Sequence, residues 1–365
     1  MKRRPALLCA AYGLLVLGLS LTLVLSPKRS YSPSENRMLS ALPYLSLESI
    51  ANKSFASGLS AFCADHMPLR EMLLALDTST DVALGRLESR GVMLGKSGNL
   101  IKRLEYASLD VLKNNLLKLE SLEAMAKEGY IFACAPRGVD VLRDFCPSFF
   151  GGEQCDRAFE YLSEADIFTE LLRQKANGGE YVFYKTDHHW TSLGAYYAYL
   201  SLADRLGYAP IPLDEFAEET VCNDFFGTTY SSILLPNASP DAITAYRYEN
   251  EATVTDLSTG STLPLYDKSA LEKSSKYDFF LGGNRALLRV EGEGKPRLTI
   301  IKDSFANSLI PFLSIHYELD VIDPRYIKKP IDDIITELWA ESGASPLLVI
   351  LGTDTLCSDD LFGKP

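Results

Sequence analysis

Apolar residues follow two different periods along this chain, and the periods alternate. The first feature is a run with no period at all. Residues 5–25, PALLCAAYGLLVLGLSLTLVL, contain no charge. As a helix they reach roughly 30 Å, the thickness of a bilayer core. A transmembrane helix is therefore expected, with MKRR inside and the body outside. The rival is a cleaved signal peptide. Its apolar core is usually shorter, and no small-x-small site stands near residue 26. Cys9 lies too deep in the run to read as a lipid-attachment cysteine. Residues 27–37, PKRSYSPSENR, are polar with two prolines and read as a linker.

Helical spacing covers 44–86. Residues 89–103 read as a small hairpin with Gly-Lys-Ser-Gly at its turn. The phosphate-loop reading of GKS fails, because the earlier glycine of GxxxxGK[ST] would fall at position 90, which is Arg90. Residues 107–128 place leucines at 109, 112, 116, 117, 119 and 122, the stripe of an amphipathic helix. Then come a buried-type strand at 129–136, a helix at 156–176, a β-branched and aromatic strand at 180–186, and a helix at 192–208. After a polar region come a strand at 297–303, a helix start, a strand at 317–323, a helix at 330–343 and a strand at 345–353. Strands alternating with helices predict an α/β domain, a mostly parallel sheet flanked by helices. Residues 210–275 are rich in Thr, Ser, Asn, Asp and Pro and carry short hairpin-like strands. They read as a β-rich insertion overhanging the sheet's C-terminal edge. The expected domains are a membrane anchor at 1–29, a helical extension with the hairpin at 30–104, and the α/β domain at 105–365.

Charge narrows the partners. The 365 residues carry a formal net charge of -12. Residues 1–29 hold five of the 36 basic residues and no acid, so the remainder carries 31 basic against 48 acidic. Such a body repels nucleic acid, and no nucleic-acid partner is expected. Seven cysteines form no CxxC pair. Cys146 and Cys155 flank a Pro-Ser-Phe-Phe-Gly-Gly turn and can pair, or stay free.

Candidate chemistry gathers where strands end. In an open parallel sheet, sites form beyond the carboxyl ends of the strands. After strand 180–186 come Asp187, His188, His189 and Trp190. Two of the chain's four histidines stand here. Residues two apart in extended chain point the same way, so Asp187 and His189 share a face while His188 points elsewhere. A carboxylate beside an imidazole fixes its tautomer. After strand 297–303, Ser304 falls at a strand-to-helix junction, where its N–H favours developing negative charge. Serine, histidine and acid are the parts of a nucleophilic acyl-transfer site. The plain alternatives are that Ser304 is only a helix N-cap, that Asp187 or Thr191 caps the next helix, and that Trp190 is core. No cofactor is expected. A metal is not expected either, since HExxH is absent and adjacent histidines point in different directions. His66 and His316 lie in plain settings.

The stretch TDHHWTSLGAYYAY, 186–199, resembles the signature of the DHHW family, exported bacterial proteins. ENRMLSALP at 35–43, FCADHMPLR at 62–70, FFGTTYSS at 225–232, FLGGN at 280–284 and KDSFANS at 302–308 extend the resemblance from about residue 31 onward. That family is similar to the SGNH-like domains of alginate O-acetyltransferases, whose motif is Asp-x-His-Trp followed much later by serine. The resemblance implies an SGNH-hydrolase-like fold, with Asp187 orienting, His189 as general base and Ser304 as nucleophile. It implies oxyanion donors at Ser304, Gly283 and Asn284. Trp190, Tyr230 and Arg137 are candidate substrate contacts, Arg137 because it follows the end of strand 129–136. The implied function is extracytoplasmic transfer of an O-acyl group, acetyl by analogy, on a cell-surface polysaccharide. A multi-pass membrane O-acyltransferase would supply the acyl group to this single-pass protein of the cell membrane. The alternatives are an acetyl-ester hydrolase and a non-catalytic carbohydrate-binding or assembly protein of the cell envelope.

Overall fold

The computed structural model describes residues 3–35, 37–103, 109–150, 160–249 and 252–362. The chain divides into two compact units, Met1–Arg86 with Ser231–Asn237, and Leu87–Tyr230 with Ala238–Pro365.

The first unit is helical: Arg3–Leu25, Leu47–Ala51, Ser54–Asp65 and Arg70–Ala83. Among the described residues, whose side chains begin at Cys9, no helix is long and apolar enough to cross a membrane. The anchor thus rests on the sequence alone. Two of the quoted motifs meet in this unit. Arg37 pairs with Asp65 at 2.6 Å and with Glu35 at 2.9 Å, and Arg70 pairs with Glu35 at 2.7 Å. His66 Nδ1 contacts the Phe62 carbonyl and Nε2 that of Arg29, a structural use of the ring.

The second unit is built on a seven-stranded sheet. Its strands are β1 (Tyr130–Ala135), β2 (Val254–Asp256), β3 (Ser261–Leu263), β4 (Leu287–Val290), β5 (Arg297–Lys302), β6 (Glu318–Ile322) and β7 (Leu347–Gly352), in the order β3-β2-β4-β6-β5-β7-β1. The strands β6, β5, β7 and β1 run parallel, with Ile300 opposite Val321 and Leu348. The strands β4, β2 and β3 add on antiparallel. The sheet is therefore mixed, not mostly parallel. Half of the predicted insertion supplies its edge strands β2 and β3. The other half forms a separate antiparallel pair, Ala217–Phe225 with Asp241–Arg247.

Side chains alternate across the sheet as a period of two requires. Ile300, Leu348 and Ile350 face a core shared with the helix Ser192–Leu206, here α2. Ile301, Val349 and Leu351 face the opposite core, shared with α1 (Leu109–Met125) and α3 (Ile331–Ser342). Each such aliphatic side chain, fully buried, stabilises the fold by about 1.5–3 kcal/mol.

One strand expectation is corrected here. Residues 180–186 form no strand; Phe183 makes one isolated bridge to Trp190. The backbone donors of Lys185 and Thr186 go to the Asp241 carboxylate at 3.0 and 2.8 Å instead of to a ladder. Of the helix expected over 156–176, residues 156–159 lie outside the described residues, 160–162 are helical, and after a turn the helix resumes over Thr169–Asn177, with Asp166 accepting from Thr169 N at its start. The expected hairpin is present, Val92–Leu94 pairing antiparallel with Leu100–Lys102 across the Lys96–Gly98 turn; Glu88–Ser89 adds a third strand, and the sheet belongs to the second unit. There Leu100 N donates to Lys185 O at 2.8 Å, and Met93 and Ile101 join the core. Cys146 is a free, buried thiol; Cys155, its proposed partner, lies outside the described residues.

Candidate active site

Ser304 stands two residues beyond the end of β5, after Asp303. In the run 301–310 it alone is not buried. It does not cap the short helix it opens. Asp303 does that, accepting from Phe305 N at 3.0 Å with one oxygen. The other Asp303 oxygen accepts from Gly352 N and Thr355 Oγ1, each at 2.7 Å. This ties the β5 terminus to that of β7. The Ser304 hydroxyl is left for another partner, His189 Nε2, at 2.8 Å. The plain reading of Ser304 as an N-cap is thus overturned.

His189 reaches this position from a loop pinned at both ends. Before it, Asp241 accepts from Tyr181 Oη, Lys185 N, Thr186 N and Thr186 Oγ1. After it, Thr191 caps α2 by accepting from Gly194 N. Between these pins Asp187 Oδ1 lies 2.5 Å from His189 Nδ1 and accepts from His189 N at 3.0 Å. Asp187 Oδ2 accepts from Thr228 N at 2.7 Å and Thr228 Oγ1 at 3.0 Å. Burial alone would raise the Asp187 carboxyl. Attraction to His189 foremost, with these hydrogen bonds, outweighs it and holds Asp187 well below the usual carboxylate range. A permanent carboxylate, an oriented imidazole and a hydroxyl are aligned for proton transfer out of the hydroxyl.

His188 does not point away as the two-residue rule expects. Its ring lies 3.8 Å from that of His189, tilted by 39°. Its Nδ1 sits 2.6 Å from Thr228 Oγ1. Burial first, then the His189 charge, push it down to about 3 against the pull of Asp187. It is neutral at pH 7. Its side chain is 36% exposed against 6% for His189, so His188 is the outer of the two rings.

The ligand atoms of Asp187, His188 and His189 lie within 4.8 Å of one another, a possible metal cluster. Their hydrogen bonds argue for a relay instead. Both Asp187 oxygens, both His189 nitrogens and His188 Nδ1 face partners within the site. A bound ion would have to break those contacts.

The remaining predicted residues fall into three settings. Trp190 is wholly buried, with Nε1 donating to Phe305 O at 2.9 Å and Ser308 Oγ at 3.1 Å. It braces the Ser304 turn from inside and is closed to solvent. Gly283 adopts a left-handed φ of 86°, and a Cβ there would meet the Asp278 carboxylate at 2.8 Å. Asn284 Oδ1 accepts from Lys302 Nζ at 3.2 Å and Asn307 Nδ2 at 3.1 Å. Burial pushes the Lys302 ammonium down against the charge of Asp323, 3.4 Å away. Arg137 pairs with Asp140 at 2.8 Å and lines a cleft with Lys102, His188, Phe305 and Asp354. Tyr230 packs on Phe226 at 4.3 Å and donates its N–H to Thr186 O.

Several site residues escaped the sequence reading. Thr228 and Gly227 cradle Asp187; a Cβ on Gly227 would sit inside the Asp187 carboxylate. FFGTTYSS was visible only as a resemblance, since nothing in the sequence places it beside residue 187. Asp241 and Tyr277, whose ring stacks on His189, gave no local signal.

Residues 162–322 match a family model described as DHHW protein. None of the curated proteins matches the sequence. A solved DHHW family protein from Eubacterium siraeum is similar at 19% identity and TM-score 0.58, covering 75% of this chain and 94% of that one. PatB1 of Bacillus cereus is similar at 18% identity and TM-score 0.60, covering 73% of this chain and 97% of PatB1. A PatB1 structure with a sulfonyl adduct is similar at 17% identity and TM-score 0.60, covering 75% and 98%. These likenesses are likenesses of fold.

Proposed function

We propose that this chain, a DHHW protein by its match over residues 162–322, transfers an O-acyl group through a covalent intermediate on Ser304. The observation that carries the reading is the Ser304–His189–Asp187 relay, at 2.8 and 2.5 Å. Its hydroxyl is free of any capping duty. In the first step His189 Nε2 takes the Ser304 proton while Oγ attacks the acyl carbonyl. The Ser304 N–H at the start of its helical turn offers one donor to the oxyanion, with Gly283 and Asn284 as candidates for the others. Collapse expels the donor's alcohol, which takes the proton back from His189. A sugar hydroxyl or water then repeats the sequence in reverse and carries the acyl group away.

The acyl group is proposed as acetyl and the acceptor as a cell-surface polysaccharide, by the resemblance of DHHW to the Asp-x-His-Trp motif of the alginate O-acetyltransferases. The uncharged run 5–25 supports a single-pass anchor with the body outside the cytoplasm; a multi-pass membrane acyltransferase as donor is what the resemblance to the alginate O-acetyltransferases implies. The test is partition of a donor acetyl ester between added oligosaccharide and water, followed by mass spectrometry of both products. Acetylated oligosaccharide supports transfer. Acetate alone, whatever the acceptor added, supports an esterase. Neither product, with the protein folded, supports the non-catalytic envelope protein.

A further inference from the structure

The two halves of the relay come from different elements: Asp187 and His189 from a loop, Ser304 from the end of β5, 115 residues further on. One side chain touches both. The Tyr277 ring lies parallel to the His189 ring, centroids 4.1 Å apart and planes 9° apart. The Tyr277 hydroxyl donates to the backbone carbonyl of Ser304 at 3.2 Å and meets Ser308 Oγ at 3.3 Å. Tyr277 is 7% exposed, and Tyr184 and Phe280 pack against it edge-on.

We infer that Tyr277 is a positioning residue that sets the plane of the His189 imidazole and the place of Ser304 at the same time. The inference rests on the proposed use of His189 as the base. The Asp187 bond fixes one in-plane direction of the imidazole but leaves the ring free to tilt about the Nδ1–Oδ1 line. A tilt swings Nε2 away from Oγ. The stacked face of Tyr277 opposes that tilt on one side, and the His188 ring, 3.8 Å away, contacts His189 as well. The aromatic face also favours the imidazolium that forms when the serine proton is taken, since a cation within about 6 Å of a ring centroid is attracted by its quadrupole. The phenol then ties this same ring to the backbone that carries the nucleophile. Misplacement by about 1 Å costs roughly 100-fold in rate.

Two substitutions separate the parts. Tyr277→Phe keeps the face and loses the hydroxyl. Tyr277→Leu loses both. The full chain in detergent is examined in two ways. Proton NMR follows the low-field resonance of the Asp187–His189 hydrogen bond, which needs no substrate. Ester turnover gives kcat and KM separately. Tyr277→Leu should lose or strongly broaden the resonance and lower kcat by about 10- to 100-fold, with KM within about twofold. Tyr277→Phe should keep the resonance but lower kcat by about 2- to 10-fold, the worth of the lost hydrogen bond to the Ser304 carbonyl, a split that packing alone does not produce. The idea is overturned if a folded Tyr277→Leu protein keeps both the resonance and kcat, or if Tyr277→Phe falls as far as Tyr277→Leu. Should Tyr277→Leu fail to fold, Tyr277→Met carries the same test. If no ester is turned over even by the wild type, acyl transfer fails as a function, and the resonance alone decides the role of Tyr277.

Discussion

His189 and His188 differ by one position and by everything the site asks of them. His189 has each ring nitrogen engaged, one with the carboxylate and one with the hydroxyl. His188 is held neutral and touches the relay through Thr228, through its ring face and, at 3.7 Å, through Asp187 Oδ1. His189→Ala should lower ester turnover by at least about 100-fold, the usual worth of a general base. His188→Ala should cost roughly tenfold or less. Equal losses in two folded proteins would show that the roles are wrongly divided. Gly227 gives a sharper test of Asp187. Any Cβ there must displace that carboxylate, so Gly227→Ala should lose activity nearly as fully as His189→Ala. Wild-type turnover in Gly227→Ala would mean that the observed place of Asp187 is not needed. The three relay residues were singled out in the sequence by two signals, the two-residue spacing of Asp187 and His189 and the strand-to-helix junction at Ser304. The position of His188 was not legible, because ring stacking depends on how the loop folds. The N-cap alternative for Ser304 stood open in the sequence because Asp303, which holds that role, and Ser304 are both residue types that favour the place.

At the level of elements, the four parallel strands were readable because continuous apolar runs mark strands buried on both faces. The antiparallel strands were not, since β4 is the short segment LLRV and β2 and β3 lie inside a polar region. The segment 180–186 shows the limit of propensity. Its β-branched and aromatic residues fit a strand, yet a carboxylate more than fifty residues on takes its backbone donors. Asp241 is therefore the element-scale determinant of the site. Burial raises its carboxyl, while hydrogen bonds from Thr186 and Tyr181 oppose that rise. Asp241→Ala leaves the Lys185 and Thr186 N–H groups buried without an acceptor, which costs about 1–3 kcal/mol for each such group. Urea unfolding should show a loss of about 2–4 kcal/mol. Activity should fall further than the unfolded fraction explains. A loss below about 0.5 kcal/mol would mean that the loop is held by something else.

On the scale of the whole molecule, the acidic body and the uncharged N-terminal run make different demands on their surroundings. If residues 5–25 anchor the chain, the full protein should sediment with membranes and resist extraction by high salt, yield to detergent, and keep its N-terminus. Release by salt alone, or a mature start near residue 26, would remove the anchor from the account. The candidate site lies entirely in the second unit. There the insertion, read from sequence as an overhang, supplies Thr228 and Asp241, the two residues that fix the acid and its loop. The account's central claim is that Ser304 is a nucleophile. It is tested most directly by release of p-nitrophenol from p-nitrophenyl acetate by the full chain in detergent, beside Ser304→Ala shown to be folded by its Tm. The account predicts release by the wild type that falls to the uncatalysed rate in Ser304→Ala. Release that persists in Ser304→Ala, or is absent from the wild type, contradicts it.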